Sequence, residues 1–276
     1  MLRTMHKLKS AKQRLLDRFS RDLDALESRT PMTGSYERIV PYLVDHRSGG
    51  HEFEIIVYHR ESEAWYGGGG GDHSLDLYRQ HAFVRPGDVA LDVGCNAGLI
   101  AVWLGLQVGP EGRVLAFDPF PWNALATHYN CRLNFVDNVT TLAVGLSDRT
   151  TDIRLPLATA RTLEKIDPAI PALDGRLVDV LAFVDEHPTF AKIDIEGGEF
   201  ELSRADWSRF TRLERIFLEL HPWFIEDRGL ETRDVLRRYA SAGYSLRYGH
   251  PLAAPADAET VEPAHGGWWL TREQSA

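Results

Sequence analysis

Apolar positions along the chain recur with two different periods. Leu16, Phe19, Leu23 and Leu26 follow one another at three- and four-residue spacing with Leu15 beside them, which predicts an amphipathic helix near the N-terminus. From residue 37 to 60 the period shortens. Ile39, Tyr42 and Val44, then the alternation in Glu52-Phe53-Glu54-Ile55-Ile56-Val57-Tyr58, predict two short strands joined at Ser48-Gly49-Gly50. The glycines from Gly67 to Gly71 carry too much backbone freedom for an element interior and predict a loop, either a hinge over a site or a plain connection.

From residue 81 the punctuation becomes regular. Arg85-Pro86-Gly87 is a turn, Asp88 to Val93 an apolar strand, and Leu99 onward an apolar helix. A strand at Arg113 to Phe117, a helix at Pro121 to Leu133 and a strand at Val139 to Val144 follow. After an irregular stretch at 150 to 173, a helix is predicted at Leu177 to Glu186, a strand at Phe190 to Ile195, a helix at Glu199 to Phe210 and a strand at Arg215 to Leu220. A helix at Thr232 to Ala242 precedes two strands, Tyr244 to Tyr248 and one near Trp268 to Leu270, with no helix between them, hence a terminal antiparallel hairpin. Buried strands alternating with helices predict a doubly wound α/β sheet over residues 81–276, with residues 1–80 as an N-terminal extension of helix, short strands and Gly-rich loop.

Charge narrows the partners. Thirty-one Lys and Arg against 40 Asp and Glu leave a net charge of −9, the opposite of the basic surface that displaces phosphate counterions, so a nucleic-acid partner is not expected. Residues 1 to 29 are the exception, with eight basic against four acidic residues; their helix is expected to pack on its own domain or on a second copy, with loose contact to an anionic membrane surface as the alternative. The most apolar stretch, Leu99 to Leu106, is far too short to cross a bilayer, so no stable membrane insertion is expected. Cys95 and Cys131 form neither a disulfide framework nor a zinc-type spacing. Without a continuous apolar stretch near the N-terminus a signal peptide is not expected, and a reducing cytoplasm is the expected compartment.

The first strand of the regular part runs into Asp92-Val93-Gly94-Cys95-Asn96-Ala97-Gly98. A dinucleotide turn starting at Gly94 needs glycine at 96 and 99, where this chain has Asn96 and Leu99, so a nicotinamide or flavin enzyme is disfavoured. An acid at a strand end, a tight turn at Gly94 and a second glycine at Gly98 suit a nucleoside without pyrophosphate. Asp118 closes the next strand, where a carboxylate can accept both ribose hydroxyls, although Asp118-Pro119 is also a good helix start.

Asp92-Val93-Gly94-Cys95-Asn96-Ala97-Gly98, then Phe117-Asp118-Pro119 with Asn123, then Lys192-Ile193-Asp194-Ile195-Glu196-Gly197-Gly198-Glu199 resemble the FkbM family of S-adenosylmethionine-dependent methyltransferases over residues 85 to 222. The glycine turn is shared by all class I methyltransferases, and the K-I-D-x-E-G-x-E block is more specific. The chain departs from the family pattern at Cys95, where Ala is usual, and at Leu177-Val178-Asp179, where T-L-D is usual. The resemblance implies a seven-stranded, mostly parallel sheet of order 3-2-1-4-5-7-6 with strand 7 antiparallel. It also implies a cofactor site formed by Asp92, Gly94, Asn96, Gly98, Asp118, Pro119, Asn123 and Asp194, with Leu146, Ser147 and Asp148 beside the adenine.

Asp194 and Glu196 follow an apolar strand at period-two spacing, and Glu219 and His221 end the next in the same way, so four titratable groups are expected on one rim. Methyl transfer to a hydroxyl needs a proton acceptor, for which His221 or Asp194 is the candidate, with Glu196 beside them. The alternatives are a turn histidine at His221-Pro222, a structural carboxylate at Asp194, and Glu196 and Glu199 serving a helix N-terminus. Asp194, Glu196 and His221 are acceptable ligands for a hard or borderline ion, but no compact H-E-x-x-H motif exists and no metal is expected. Glu63, Trp65 and Tyr66 are placed to reach the methionine end or the acceptor, and Phe120 and Trp122 to flank the adenine. The expected activity is O-methylation of a sugar, glycan or polyketide-like small molecule. An aminopropyl-type transferase on the same fold and a cofactor-binding module without catalysis are the rivals.

Overall fold

The computed structural model describes residues 2–69, 73–157 and 172–272. In chain order its elements are helix α1 (Leu2–Glu27), strands β1 (Arg38–Ser48) and β2 (His51–His59), helices α2 (Arg60–Tyr66) and α3 (His73–Gln80), strand β3 (Val89–Val93), helix α4 (Leu99–Val108), strand β4 (Arg113–Phe117) and helix α5 (Pro121–Leu133). Strands β5 (Val139–Leu142), β6 (Gly145–Ser147), β7 (Thr151–Pro156), β8 (Ala172–Asp179) and β9 (Phe190–Ile193) follow. Helix α6 (Glu199–Leu202), strand β10 (Arg215–Leu220), helices α7 (Pro222–Glu226) and α8 (Arg233–Ser241), and strands β11 (Ser245–Tyr248) and β12 (Gly266–Thr271) complete the chain.

The central sheet has the order β11-β12-β10-β9-β3-β4-β5. All neighbours are parallel except β12, which runs antiparallel to both β10 and β11 and lies between them. Its short central strands are buried along nearly their whole length because helices cover both faces. On one face Leu91, Val93, Ile193 and Leu218 pack with Phe200, Trp207 and Tyr239; on the other Ala90, Phe190, Phe217 and Trp269 pack with Tyr78 and Trp103. A buried pair fastens the N-terminal ends of β3 and β10: Arg215 donates to both oxygens of Asp88, at 2.8 and 3.0 Å, and to the Phe83 carbonyl at 2.8 Å.

The first 80 residues pack tightly on this core. β1 and β2 form an antiparallel hairpin with Ser48 opposite His51, and its turn needs Gly49 and Gly50 because both have positive φ, +54° and +79°. The side chains of Asn130 on α5 and of Asn134 just after it accept from the Ile56 and Glu54 amides of β2, each at 2.8 Å, so the hairpin is hydrogen-bonded into the fold. The apolar face of α1 is spent on its own chain. Phe19 meets Tyr58 and Tyr129 edge-on, at 5.3 and 5.5 Å between ring centres, and Leu23 is buried in the same cluster.

Three segments differ from expectation. The helix predicted at Leu177 to Glu186 is the end of β8 followed by a 3-10 turn from Val180 to Glu186, because β8 pairs with both β6 and β7 and the Asp179 side chain then caps the Leu181 amide at 2.9 Å. The helix predicted at Glu199 to Phe210 is one α-turn, α6, and a separate 3-10 turn at Trp207–Arg209; Asp206 accepts from the Ser208 amide and starts that new turn. The irregular stretch contains β7, so a three-stranded sheet of order β6-β8-β7 flanks the main one. Within the glycine run, Gly67 to Gly69 follow α2 in a turn, while Gly70 and Gly71 lie outside the described residues. Among the described residues no helix is long and apolar enough to cross a membrane.

Because Phe19 is fully buried between two aromatic rings, Phe19→Ala is expected to cost about 3–5 kcal/mol of stability, the range for deleting a buried aromatic side chain. Urea unfolding measures this, and a loss under about 1 kcal/mol would mean that α1 docks too loosely to belong to the core.

Candidate active site

Chain order in the sheet reverses between β3 and β9, with β4 and β5 continuing on one side and β10 on the other. Ligands of open α/β sheets bind outside the carboxyl ends of the strands at such a point. A cavity of about 730 Å³ opens there. The loops after β3 and β9 touch: a Cβ on Gly94, whose φ is +85°, would lie 1.8 Å from the Asp194 carbonyl oxygen, so only glycine fits.

Beneath this contact Lys192 is almost completely buried. Its ammonium donates to the Gly94 carbonyl at 2.9 Å and lies 3.2 Å from Asp194 Oδ2 and 3.8 Å from Asp92 Oδ1. Burial alone would lower the lysine pKa, but the charges of Asp194 and Asp92 reverse the direction and keep it a cation. Asp92 is fully buried with neither carboxylate oxygen hydrogen-bonded. Its pKa is pushed up to about 7 by burial, with Lys192 pulling the other way.

Asp118 ends β4 and ties three segments together. Its Oδ2 accepts from the Asn96 amide at 2.9 Å, and its Oδ1 accepts from the Phe120 amide at 2.9 Å and the Asn123 side chain at 3.1 Å. Asn123 in turn accepts from the Tyr58 hydroxyl of β2 at 2.7 Å, which links the N-terminal hairpin to this carboxylate. Burial pushes Asp118 up to about 6. Three of its roughly four lone-pair sites are taken by the Asn96, Phe120 and Asn123 donors, one on Oδ2 remaining, and Pro119, Phe120, Asn123 and the Gly145–Ser147 segment continue the cavity wall.

The opposite rim holds Asp194, Glu196, Glu219 and His221, all lining the cavity. His221 is anchored from behind: its Nδ1 is 3.1 Å from Oε1 of the fully buried Glu199. Glu199 also accepts from the Ile195 and Gly197 amides, at 3.1 and 2.9 Å, so the turn-holding role weighed for Glu196 and Glu199 belongs to Glu199. The His221 Nε2 faces the cavity, 3.7 Å from Glu196 and 3.9 Å from Asp194. Burial would lower the imidazole pKa, but the hydrogen bond and charge of Glu199, then Glu196 and Asp194, push it up to about 9. A shift in this direction favours the protonated ring in the protein alone, whereas the expected general-base role draws on the neutral one. Glu196 is pushed up to about 7 by burial, reinforced by Asp194, Glu199 and Glu219 and opposed by His221.

Of the expected site residues, Gly94, Asn96, Asp118, Pro119, Asn123, Leu146, Ser147, Asp194, Glu196 and His221 line this one cavity. Asp92, Gly98 and Asp148 do not line it, and Asp148 accepts from the Ser147 hydroxyl at 3.2 Å. Trp65, Tyr66 and Phe120 line it. Glu63 instead accepts from the Tyr42 hydroxyl, and Trp122 is buried against Phe120 and Tyr36. The sequence reading missed Tyr36, Glu61, Trp223 and His265 as cavity residues, and gave Lys192 no role. Tyr36, Glu61 and His265 come from segments without a motif, so only the tertiary fold reveals them. Glu61 is pushed up to about 7 by burial and by Asp118, against the Tyr36 hydroxyl, and its Oε2 has no hydrogen-bond partner. Two donor groups could hold a metal ion: Asp194, Glu196 and His221, and Glu219, His221 and His265, the donor atoms of each lying within 4.8 Å of one another.

Comparison with solved structures finds similar folds at low identity. An S-adenosylmethionine-dependent methyltransferase from Aquifex aeolicus is 16% identical, with 72% of this chain and 94% of that one covered and a TM-score of 0.40. An S-adenosylmethionine-dependent O-methyltransferase from Thermotoga maritima is 11% identical, with 83% and 77% covered and a TM-score of 0.41. Fibrillarin from Aeropyrum pernix, solved with natively bound S-adenosyl-L-methionine, is 12% identical, with 87% and 85% covered and a TM-score of 0.38. No curated protein sequence matches the chain. The model of the methyltransferase FkbM domain matches residues 92–246, more than half of the sequence, from Asp92 within β3 to the second residue of β11, and the chain belongs to that family.

Proposed function

We propose that this protein transfers the methyl group of S-adenosylmethionine to a hydroxyl of a sugar, glycan or polyketide-like small molecule. The observation that carries the reading is a single cavity with the Asp118 carboxylate on one side and the Asp194, Glu196 and His221 rim on the other. Asp118 accepts from the ribose, the Asn96 and Phe120 amides and the Asn123 side chain hold it in place, and Leu146 and Ser147 border the adenine. The methionine end then lies toward the loop after β9, beside Asp194.

Two indoles at the cavity mouth favour a ring-shaped, partly apolar acceptor. Trp65 is 69% exposed and Trp223 is 44% exposed, and both line the cavity, so each offers a flat apolar face to an acceptor. An acceptor stacked between them presents its hydroxyl to the opposite rim. The hydroxyl oxygen attacks the methyl carbon as the carbon–sulfur bond breaks, the bonding pair stays on sulfur, and S-adenosylhomocysteine leaves. The proton passes to a rim carboxylate, Asp194 or Glu196, while Glu199 holds His221 beside them. Positioning of donor and nucleophile supplies most of the acceleration in such an in-line displacement.

Asp118→Ala is expected to weaken S-adenosylhomocysteine binding by about 1.5–3 kcal/mol, the range for hydrogen bonds to a charged partner, which is roughly 10- to 150-fold in dissociation constant. Calorimetry reads this directly, and an unchanged constant would remove the ribose role. The acceptor is tested by incubating the protein with methyl-labelled S-adenosylmethionine and a host extract. Label should appear as a methyl ether in the small-molecule or glycan fraction, with stoichiometric S-adenosylhomocysteine. Label confined to nucleic acid, or no S-adenosylhomocysteine at all, would overturn the reading.

A further inference from the structure

The rim carries more negative charge than its cations balance. Asp92, Asp194, Glu196, Glu199 and Glu219 converge on it, and Lys192 is the one permanent cation among them. A divalent cation would balance it.

We propose that Asp194, Glu196 and His221 form a binding site for one divalent cation of borderline hardness, such as Mn²⁺ or Zn²⁺, which holds the acceptor oxygen beside the methyl donor. The three donor atoms lie within 4.8 Å of one another. Nε2 is 3.7 Å from the Glu196 carboxylate and 3.9 Å from that of Asp194. Both distances are too long for hydrogen bonds. Two donors about 2.1 Å from one ion and opened by roughly 90–125° stand about 3.0–3.7 Å apart, so a small rotation of either carboxylate closes the set.

The histidine supplies an independent pointer. Its side chain is only 5% exposed, yet Nε2 has no hydrogen-bond partner and is aimed into the cavity. Its other nitrogen is held by Glu199, the carboxylate–histidine arrangement that fixes ring orientation behind a metal. Asp194 divides its oxygens, Oδ2 toward Lys192 and Oδ1 toward His221, so it can serve both cations. The Glu219, His221 and His265 group shares the same Nε2-bearing ring, but His265 is 46% exposed and has no buried group behind it comparable to Glu199. A carboxylate and imidazole set suits a first-row divalent ion, with room for water and an acceptor oxygen on the cavity side. The ion acts as a Lewis acid: it polarises the acceptor hydroxyl, whose proton leaves to a rim carboxylate or to water as the oxygen attacks the methyl carbon.

This inference rests on the methyltransferase reading of the cavity, so the experiment measures the two separately. The full chain, stripped of metal, is titrated with Mn²⁺ while the free ion is followed by electron paramagnetic resonance, and S-adenosylhomocysteine binding is measured by calorimetry on the same samples. One Mn²⁺ per chain is expected. Glu196→Gln and His221→Ala should each weaken it at least tenfold while retaining S-adenosylhomocysteine binding, which also shows that they fold, and His265→Ala should stay within twofold. A chain that binds S-adenosylhomocysteine but takes up neither Mn²⁺ nor Zn²⁺ overturns the cation site and leaves the donor reading intact. A chain that binds no S-adenosylhomocysteine overturns the donor reading and the cation proposal with it. Loss of the ion in His265→Ala as complete as in Glu196→Gln overturns the assignment in favour of the outer group.

Discussion

A buried ammonium at the point where the sheet reverses sets the terms for everything around it. Lys192 bonds the Gly94 carbonyl on the loop after β3 and the Asp194 carboxylate on the loop after β9, with Asp92 a little farther away. Removing a cation from water costs several kcal/mol, and only a fixed set of acceptors offsets it. The two loops that border the cavity therefore cannot move apart without stranding that charge. The same closeness explains Gly94: the backbone of one loop lies against the Asp194 carbonyl of the other, and a methyl group there would overlap it.

From this clamp the two sides of the cavity diverge in chemistry. Toward β4 the carboxylate of Asp118 accepts from three amide N–H groups, which fixes its direction. Toward β10 the carboxylates face an imidazole and one another at distances too long for hydrogen bonds. One side is preorganised for recognition, while the other stores unbalanced charge. Charge of that kind is useful where a proton must be taken up or a cation held, and costly elsewhere.

How much of this was legible in the sequence follows from how local each signal is. The strand and turn around Gly94, Asp118 at the end of β4 and the Lys192 to Glu199 block are compact in the chain, and the mostly parallel α/β sheet followed from apolar runs separated by Gly and Pro. The short sheet of β6, β7 and β8 was not legible, because Leu177 to Val184 is apolar apart from Asp179 and such a run does not distinguish strand from helix without knowing its partners. Lys192 was visible as a letter in a motif, but its burial between two carboxylates depends on β3 and β9 lying side by side. Glu199 was assigned to a helix start and does hold that turn; its second task, fixing His221 on a neighbouring strand's end, needed the third dimension.

The N-terminal segment shows why the family match stops short of describing the whole cavity. The match begins at Asp92, yet Tyr36, Glu61, Trp65 and Tyr66 all face the ligand space, and Tyr58 steadies Asn123 and through it Asp118. These residues are held there by a hairpin bonded to α5 and by Phe19 of α1 wedged between Tyr58 and Tyr129. The Asp118 side of the cavity is thus built mainly from the matched block, and part of the remaining lining from residues before it. In the proposed reading, where the acceptor stacks against Trp65 and Trp223, substitutions at Trp65 change which hydroxyl is presented, whereas those in the Asp118 network change how tightly the donor is held. Selectivity can then vary through the N-terminal segment while the transfer chemistry, fixed by the Lys192 clamp, stays the same.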